Sequence, residues 1–109
     1  MDLQVTAAYI SFKDVDLNDV IKAFKQTLDL EVPQVVMGDF NFDTRENNSL
    51  TKFFREKKLK QLVEEPTHQE GRTIDHLYAS PELEQHIEFK TFFKYYSDHC
   101  ALQIKINLD

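Results

Sequence analysis

The run Val35-Val36-Met37-Gly38-Asp39-Phe40-Asn41 decides how the chain is built. Three apolar residues with a β-branched start, closed by glycine, read as a buried strand that stops abruptly. Residues two apart in an extended segment project from the same side. Asp39 and Asn41 therefore point together from the end of a sheet, one a carboxylate and the other a neutral amide. That pair suits a phosphate ester and a divalent cation better than it suits a core.

Working outward, Leu3 to Ile10 carries β-formers in loose alternation and reads as a strand. Asp16 is a candidate N-cap with Asp19 in the first turn, and Leu17, Val20, Ile21, Phe24 and Leu28 share one helical face. This predicts an amphipathic helix over Leu17 to Leu30. Pro33 forbids helix ahead of the Gln34 to Met37 strand. Asn48 or Ser49 can cap a second helix through Lys58, with Leu50, Phe53 and Phe54 facing the core. Strands follow at Leu59 to Val63, Thr73 to Ala79 (closed by Ser80-Pro81), His86 to Tyr96 and Cys100 to Ile106. The pattern predicts an α+β fold (α/β sandwich type): one mixed, mostly antiparallel sheet with two helices on one face.

The 109 residues favour a single domain, 1–109, and no linker or repeat interrupts it. Charged residues at 29% and hydrophobics at 41% are ordinary globular composition. No apolar run approaches the ~20 residues of a membrane span, and no secretory leader is visible. The lone Cys100 cannot close an internal disulfide, so the expected setting is an intracellular, reducing one, cytoplasm or nucleus. The net charge of -6 is not the footprint of a protein that holds nucleic acid by electrostatics alone. It leaves room for an enzyme of phosphates whose bound cation supplies local positive charge. Lys52, Arg55, Lys57, Lys58 and Lys60 read as a solvated face.

Three polar clusters fall at strand ends: Gly38 to Asn41, Thr73 to His76, and Ser97-Asp98-His99. Each alone reads as a turn or a solvated strand end. Together they offer three Asp, an Asn and a His, a set able to hydrolyse a phosphodiester. A His is the general base for water and a carboxylate orients its ring. Another carboxylate holds a hard cation, and the Asn amide donates to charge building on phosphate oxygens.

In that order and spacing, Gly38-Asp39-Phe40-Asn41, Ile74-Asp75-His76 and Ser97-Asp98-His99 resemble the C-terminal motifs of the endonuclease/exonuclease/phosphatase superfamily. That superfamily includes deoxyribonuclease I, abasic-site endonucleases, inositol-polyphosphate phosphatases and the endonucleases of non-LTR retroelements. Phe42-Asp43, Leu62 to Thr67, and Gly71 to Tyr78 most resemble the retroelement branch. The resemblance implies half of a four-layer αββα sandwich, because a complete member is about twice as long. It implies His99 as general base, Asp75 as the residue that orients it, and Asp98 and Asp39 as metal ligands. Asp39 is also implied to position the attacking water, and Asn41 and Tyr9 to contact the phosphate. The metal implied is Mg²⁺ or Mn²⁺, bound weakly by this chain because the family's metal-binding Glu belongs to the other half. The substrate implied is DNA. The alternatives are a catalytically inactive truncated fragment or interaction domain, and a phosphomonoesterase of the same superfamily. An uncovered apolar sheet face is expected, met by a homodimer or by the N-terminal half as partner.

Overall fold

Asp16 starts the first helix as expected: its carboxylate accepts the Asn18 N–H at 2.9 Å. In the computed structural model, which describes residues 2–10, 15–64, 66–67, 71–93 and 100–107, the elements run in the expected order. They are β1 (Gln4–Tyr9), α1 (Leu17–Thr27), β2 (Gln34–Asp39), α2 (Ser49–Glu56), β3 (Lys60–Gln61), β4 (Asp75–Ala79), a 3-10 helix (Pro81–His86), β5 (Ile87–Phe93) and β6 (Cys100–Ile106).

Four strands form a mixed sheet in the order β1-β2-β4-β3. β1 and β2 are parallel, and both β4 pairings are antiparallel. Strand alternation divides the residues between the two faces. Val36 and Tyr78 meet the helices, with Phe24 from α1 and Leu50, Phe53 and Phe54 from α2. Phe54 stacks on Tyr78 at 4.1 Å and meets Phe24 edge-on at 5.2 Å. Burying side chains of this size stabilises the fold by about 1.5–3 kcal/mol each. Val35, Met37 and Leu77 face the other way, onto Leu83 of the 3-10 helix and onto Ile87, Ile104 and Ile106. The β5–β6 hairpin is a separate ladder lying across that second face, not an extension of the main sheet.

The helices end earlier than the apolar pattern suggests, for local reasons. The β1 side chain of Gln4 donates to the Thr27 carbonyl at 3.1 Å and accepts the Asp29 N–H at 2.9 Å, which closes α1 at Thr27. α2 opens with a capping box between Asn48 and Thr51. It stops because Lys58 turns left-handed at φ 60, so the Lys58 and Leu59 amides bond back to Arg55 and Phe54. The expected strand end at Tyr96, residues Ser11 to Asp14, Glu65, and the Ser97-Asp98-His99 cluster lie outside the described residues.

β1 has one partner in the sheet, and its outward face carries Val5 at 52% exposure and Tyr9 at 70%. The hairpin does not cover these residues. We therefore expect the purified chain to self-associate or to bind a hydrophobic dye. A monomer in ultracentrifugation that gives no dye fluorescence would contradict this.

Candidate active site

Register brings the described candidates together. Tyr9 lies opposite Asp39 across the parallel pair, and Asp39 lies opposite Asp75 across the antiparallel pair. The three form one row across β1, β2 and β4 at the end of the sheet. Directly paired residues share a face, so both carboxylates sit on the side of Val35 and Leu77. Tyr9 is exposed and is not a core tyrosine. Asp98 and His99 are outside the described residues, so their distances to this row are not part of its geometry.

Gly38 permits the row. A Cβ there would lie 1.8 Å from the Ala8 carbonyl oxygen of β1. Only glycine lets the two backbones approach this closely just before the polar residues begin. Immediately afterwards the chain is held on both sides. The Ile10 N–H donates to the Asp39 carbonyl at 2.9 Å, and the Phe40 N–H donates to the Ile74 carbonyl at 2.8 Å. Asn41 then adopts φ 56, a left-handed conformation that Asn tolerates better than most residues. Its N–H donates to the Asp39 carboxylate at 2.9 Å, closing an Asx turn, and its side-chain amide donates to the Ile10 carbonyl. These bonds turn Asn41 out of the extended strand, so it does not share the direction of Asp39 that its spacing suggests: Asn41 borders the helix side, and Asp39 keeps the face of Val35 and Leu77.

The rest of the loop is braced by residues without an expected role. Asp43 accepts from the Arg45 guanidinium at 2.8 and 3.0 Å and from the Thr73 N–H at 3.0 Å. The Arg45 side chain beside it holds the Asp43 carboxyl well below the usual carboxylate range. The Thr67 hydroxyl, fully buried, accepts the N–H groups of both Ile74 and Asp75 at 3.0 Å. It fixes the backbone that carries the Asp75 carboxylate. Thr67 has no sequence signal for this role, because its partners are main-chain groups. His76 is a buried strand residue of β4, and burial pushes its imidazole down to about 4. It is neutral near pH 7 and is not a second base.

A cleft of about 370 Å³ opens beside Asn41 on the helix side, floored by Phe40 and Phe42 and edged by Asp43, Glu46 and Arg72. It lies on the opposite face from the Asp39–Asp75 row. Among the described residues, no three His, Cys, Asp or Glu side chains cluster closely enough to hold a metal ion. The donor chemistry at the row is nonetheless right for a hard cation. Mg²⁺ is commonly held by one or two carboxylates together with substrate phosphates, not by a closed protein cage.

Residues 3–103 match the model of the endonuclease-reverse transcriptase family. No curated protein sequence matches the chain. Among solved structures, the endonuclease domain of TRAS1, a telomere-specific non-LTR retrotransposon, superimposes with a TM-score of 0.73 at 17% identity. The match covers 93% of this chain and 54% of that one, so the chain spans about half the length of the domain it resembles. The likeness identifies the fold as that of a DNase I-like endonuclease.

Proposed function

Because the chain belongs to the endonuclease-reverse transcriptase family, we propose that it carries the second half of a nuclease site that hydrolyses phosphodiesters of DNA. The observation that carries the reading is the Tyr9–Asp39–Asp75 row, formed by register at one sheet end inside the family match. In this reading His99 takes a proton from water, and Asp75 orients its ring. Asp39 positions the water, which attacks phosphorus in line. The bond to the 3′ oxygen breaks, that oxygen takes up a proton from solvent, and a 3′-hydroxyl and a 5′-phosphate are left. The side chains of Asn41 and Tyr9 donate to the phosphate oxygens as negative charge builds on them. The family's nucleases are generally metal-dependent. Here Asp39 and Asp98 would hold Mg²⁺ or Mn²⁺, which when bound neutralises phosphate charge.

Residues 1–109 would form a single unit, the C-terminal portion of such a domain. Two observations support this: the 54% coverage of the TRAS1 domain, and the uncovered outer face of β1. With the family's Glu supplied from elsewhere, ion binding by this chain alone would be weak.

The test uses supercoiled and abasic-site DNA with Mg²⁺ or Mn²⁺. Wild-type chain should nick, and His99→Ala and Asp75→Ala should abolish nicking. Asn41→Ala should slow it about 100-fold, the usual loss when one donor to developing oxyanion charge is removed. Equal background in wild type and variants would defeat the reading and favour a fragment that lacks activity. Phosphate release from inositol phosphates without DNA nicking would favour a phosphomonoesterase.

A further inference from the structure

His76 is the one fully buried imidazole among the described residues, and both of its ring nitrogens are engaged. Nε2 lies 2.8 Å from the Phe42 carbonyl oxygen and 3.2 Å from that of Thr73. Carbonyl oxygens only accept, so Nε2 must carry the hydrogen. Nδ1, 2.9 Å from the Tyr78 hydroxyl, is then the acceptor of the Tyr78 O–H. The ring is also gripped by aromatics: Phe40 stacks on it with centroids 4.7 Å apart, and Phe42 meets it edge-on at 5.1 Å. Phe40 and Phe42 flank Asn41, so one side chain of β4 holds the loop at both residues around its left-handed turn.

We propose that His76 is a positioning residue: its Nε2–H ties the Phe42 carbonyl to β4 and thereby holds Asp39 and Asn41 in the arrangement the site uses. The functional part rests on the reading of Asp39 and Asn41 as site residues; the clamp itself is a property of the fold. A left-handed non-glycine residue persists only when its surroundings over-determine it. At Asn41 the Asx turn supplies one restraint and the His76–Phe42 bond supplies the next one along the chain. Three side-chain variants separate the contributions. In His76→Gln a side-chain N–H still reaches toward Phe42. His76→Phe keeps the ring between Phe40 and Phe42 but has no donor. Tyr78→Phe leaves the donor and removes only the hydroxyl that selects the tautomer.

Two readouts on the full chain do not need activity. Imidazole nitrogen shifts should report a single Nε2–H tautomer at neutral pH; the Nδ1–H form, or a fast mixture, would overturn the assignment. In amide exchange, His76→Phe should speed exchange of the Asn41 and Thr44 N–H groups roughly tenfold more than those at the centres of β2 and β4. His76→Gln should keep them close to wild type. A uniform change over all amides, or no change at the loop, would reduce His76 to ordinary core and overturn the clamp. If His76→Phe fails to fold, His76→Gln decides: near-wild-type exchange at Asn41 and Thr44 supports the clamp, and exchange there that is no more protected than in the unfolded chain overturns it. If the wild type nicks DNA, His76→Phe should lower kcat about 100-fold with KM little changed, the scale expected when a reacting group is misplaced by about an ångström. Full activity in that variant would overturn the positioning role. If the wild type does not nick DNA at all, the nuclease reading fails while tautomer and exchange still decide the clamp.

Discussion

Gly38→Ala is expected to stop this chain from folding. The new methyl would sit 1.8 Å from the Ala8 oxygen and 2.7 Å from the Ala8 carbonyl carbon. These are main-chain atoms of β1, so no rotamer change relieves the clash. Relief requires β1 to separate from β2, and that separation removes the parallel pairing from Gln4↔Gln34 to Tyr9↔Asp39. The loss falls on the only pairing that holds β1 in the four-stranded sheet and on the packing of Ala8 against the helix-side core. Substitutions costing more than about 4 kcal/mol are exceptional and trace to a few mechanisms, a forced backbone clash being one of them. A domain of this size has about 5–15 kcal/mol in hand. Insoluble expression, or a chain without a cooperative urea transition, is the expected result. Ala7→Gly, on the exposed face of the same strand, is the control. A Gly38→Ala chain that unfolds within about 1 kcal/mol of wild type would show that β1 and β2 are not this close.

The same glycine shows how much could be read in advance. The apolar run ending at Gly38 announced a strand with a polar end, but the shared direction that the spacing of Asp39 and Asn41 suggests fails, because Asn41 leaves the extended conformation at φ 56. The helical faces of α1 and α2 were equally plain from Leu17, Val20, Ile21 and Phe24 and from Leu50, Phe53 and Phe54. All of these are side-chain patterns along one segment. The row of Tyr9, Asp39 and Asp75 is another matter. It depends on register between strands, and register is set here by backbone approach at Gly38 and by the bonds from Ile10 and Phe40. Neither the Ala8 backbone that Gly38 meets, nor the N–H groups that Thr67 accepts, nor the carbonyls that receive His76 and Asn41 have a signature, because every non-proline residue offers the same N–H and carbonyl. The 3-10 helix does have a signal. Ser80-Pro81 closes the β4 strand, and Ser followed by Pro also suits the start of a helical turn. Leu83 from that turn then fills the second core beside Val35 and Leu77. The separate β5–β6 ladder has no signature either, because the apolar residues Ile87, Ile104 and Ile106 tell which side faces a core, not which sheet the strands extend.

Acid should begin to destabilise the chain before most of its carboxylates titrate, and His76 is the reason. In the folded chain its imidazole titrates at about 4, pushed down from 6.5 by burial. The unfolded chain therefore binds the extra proton first, and stability rises with pH across this window. The contribution is fully present above about pH 6.5 and is lost progressively as pH falls toward 4. The difference of about 2.5 units corresponds to roughly 3 kcal/mol at 1.36 kcal/mol per unit. Structure explains the size of the effect. A proton on Nδ1 would face the Tyr78 hydroxyl, which must then turn from donor to acceptor in a site closed by Phe40 and Phe42. Asp43 moves the same way but in a separate window: its depressed carboxyl favours the fold above its ordinary value of 3.8 and loses that only as pH drops below it. Urea midpoints at pH 7, 5.5, 4 and about 2.5 resolve the two. Wild type should lose most of its acid-sensitive stability between pH 6.5 and 4, whereas His76→Gln, with nothing to protonate there, should hold a flat midpoint until the carboxylate range. A wild-type midpoint that does not move between pH 7 and 4 would mean that His76 is not buried as a neutral ring, and with it the Tyr78 hydroxyl would not be donating to Nδ1.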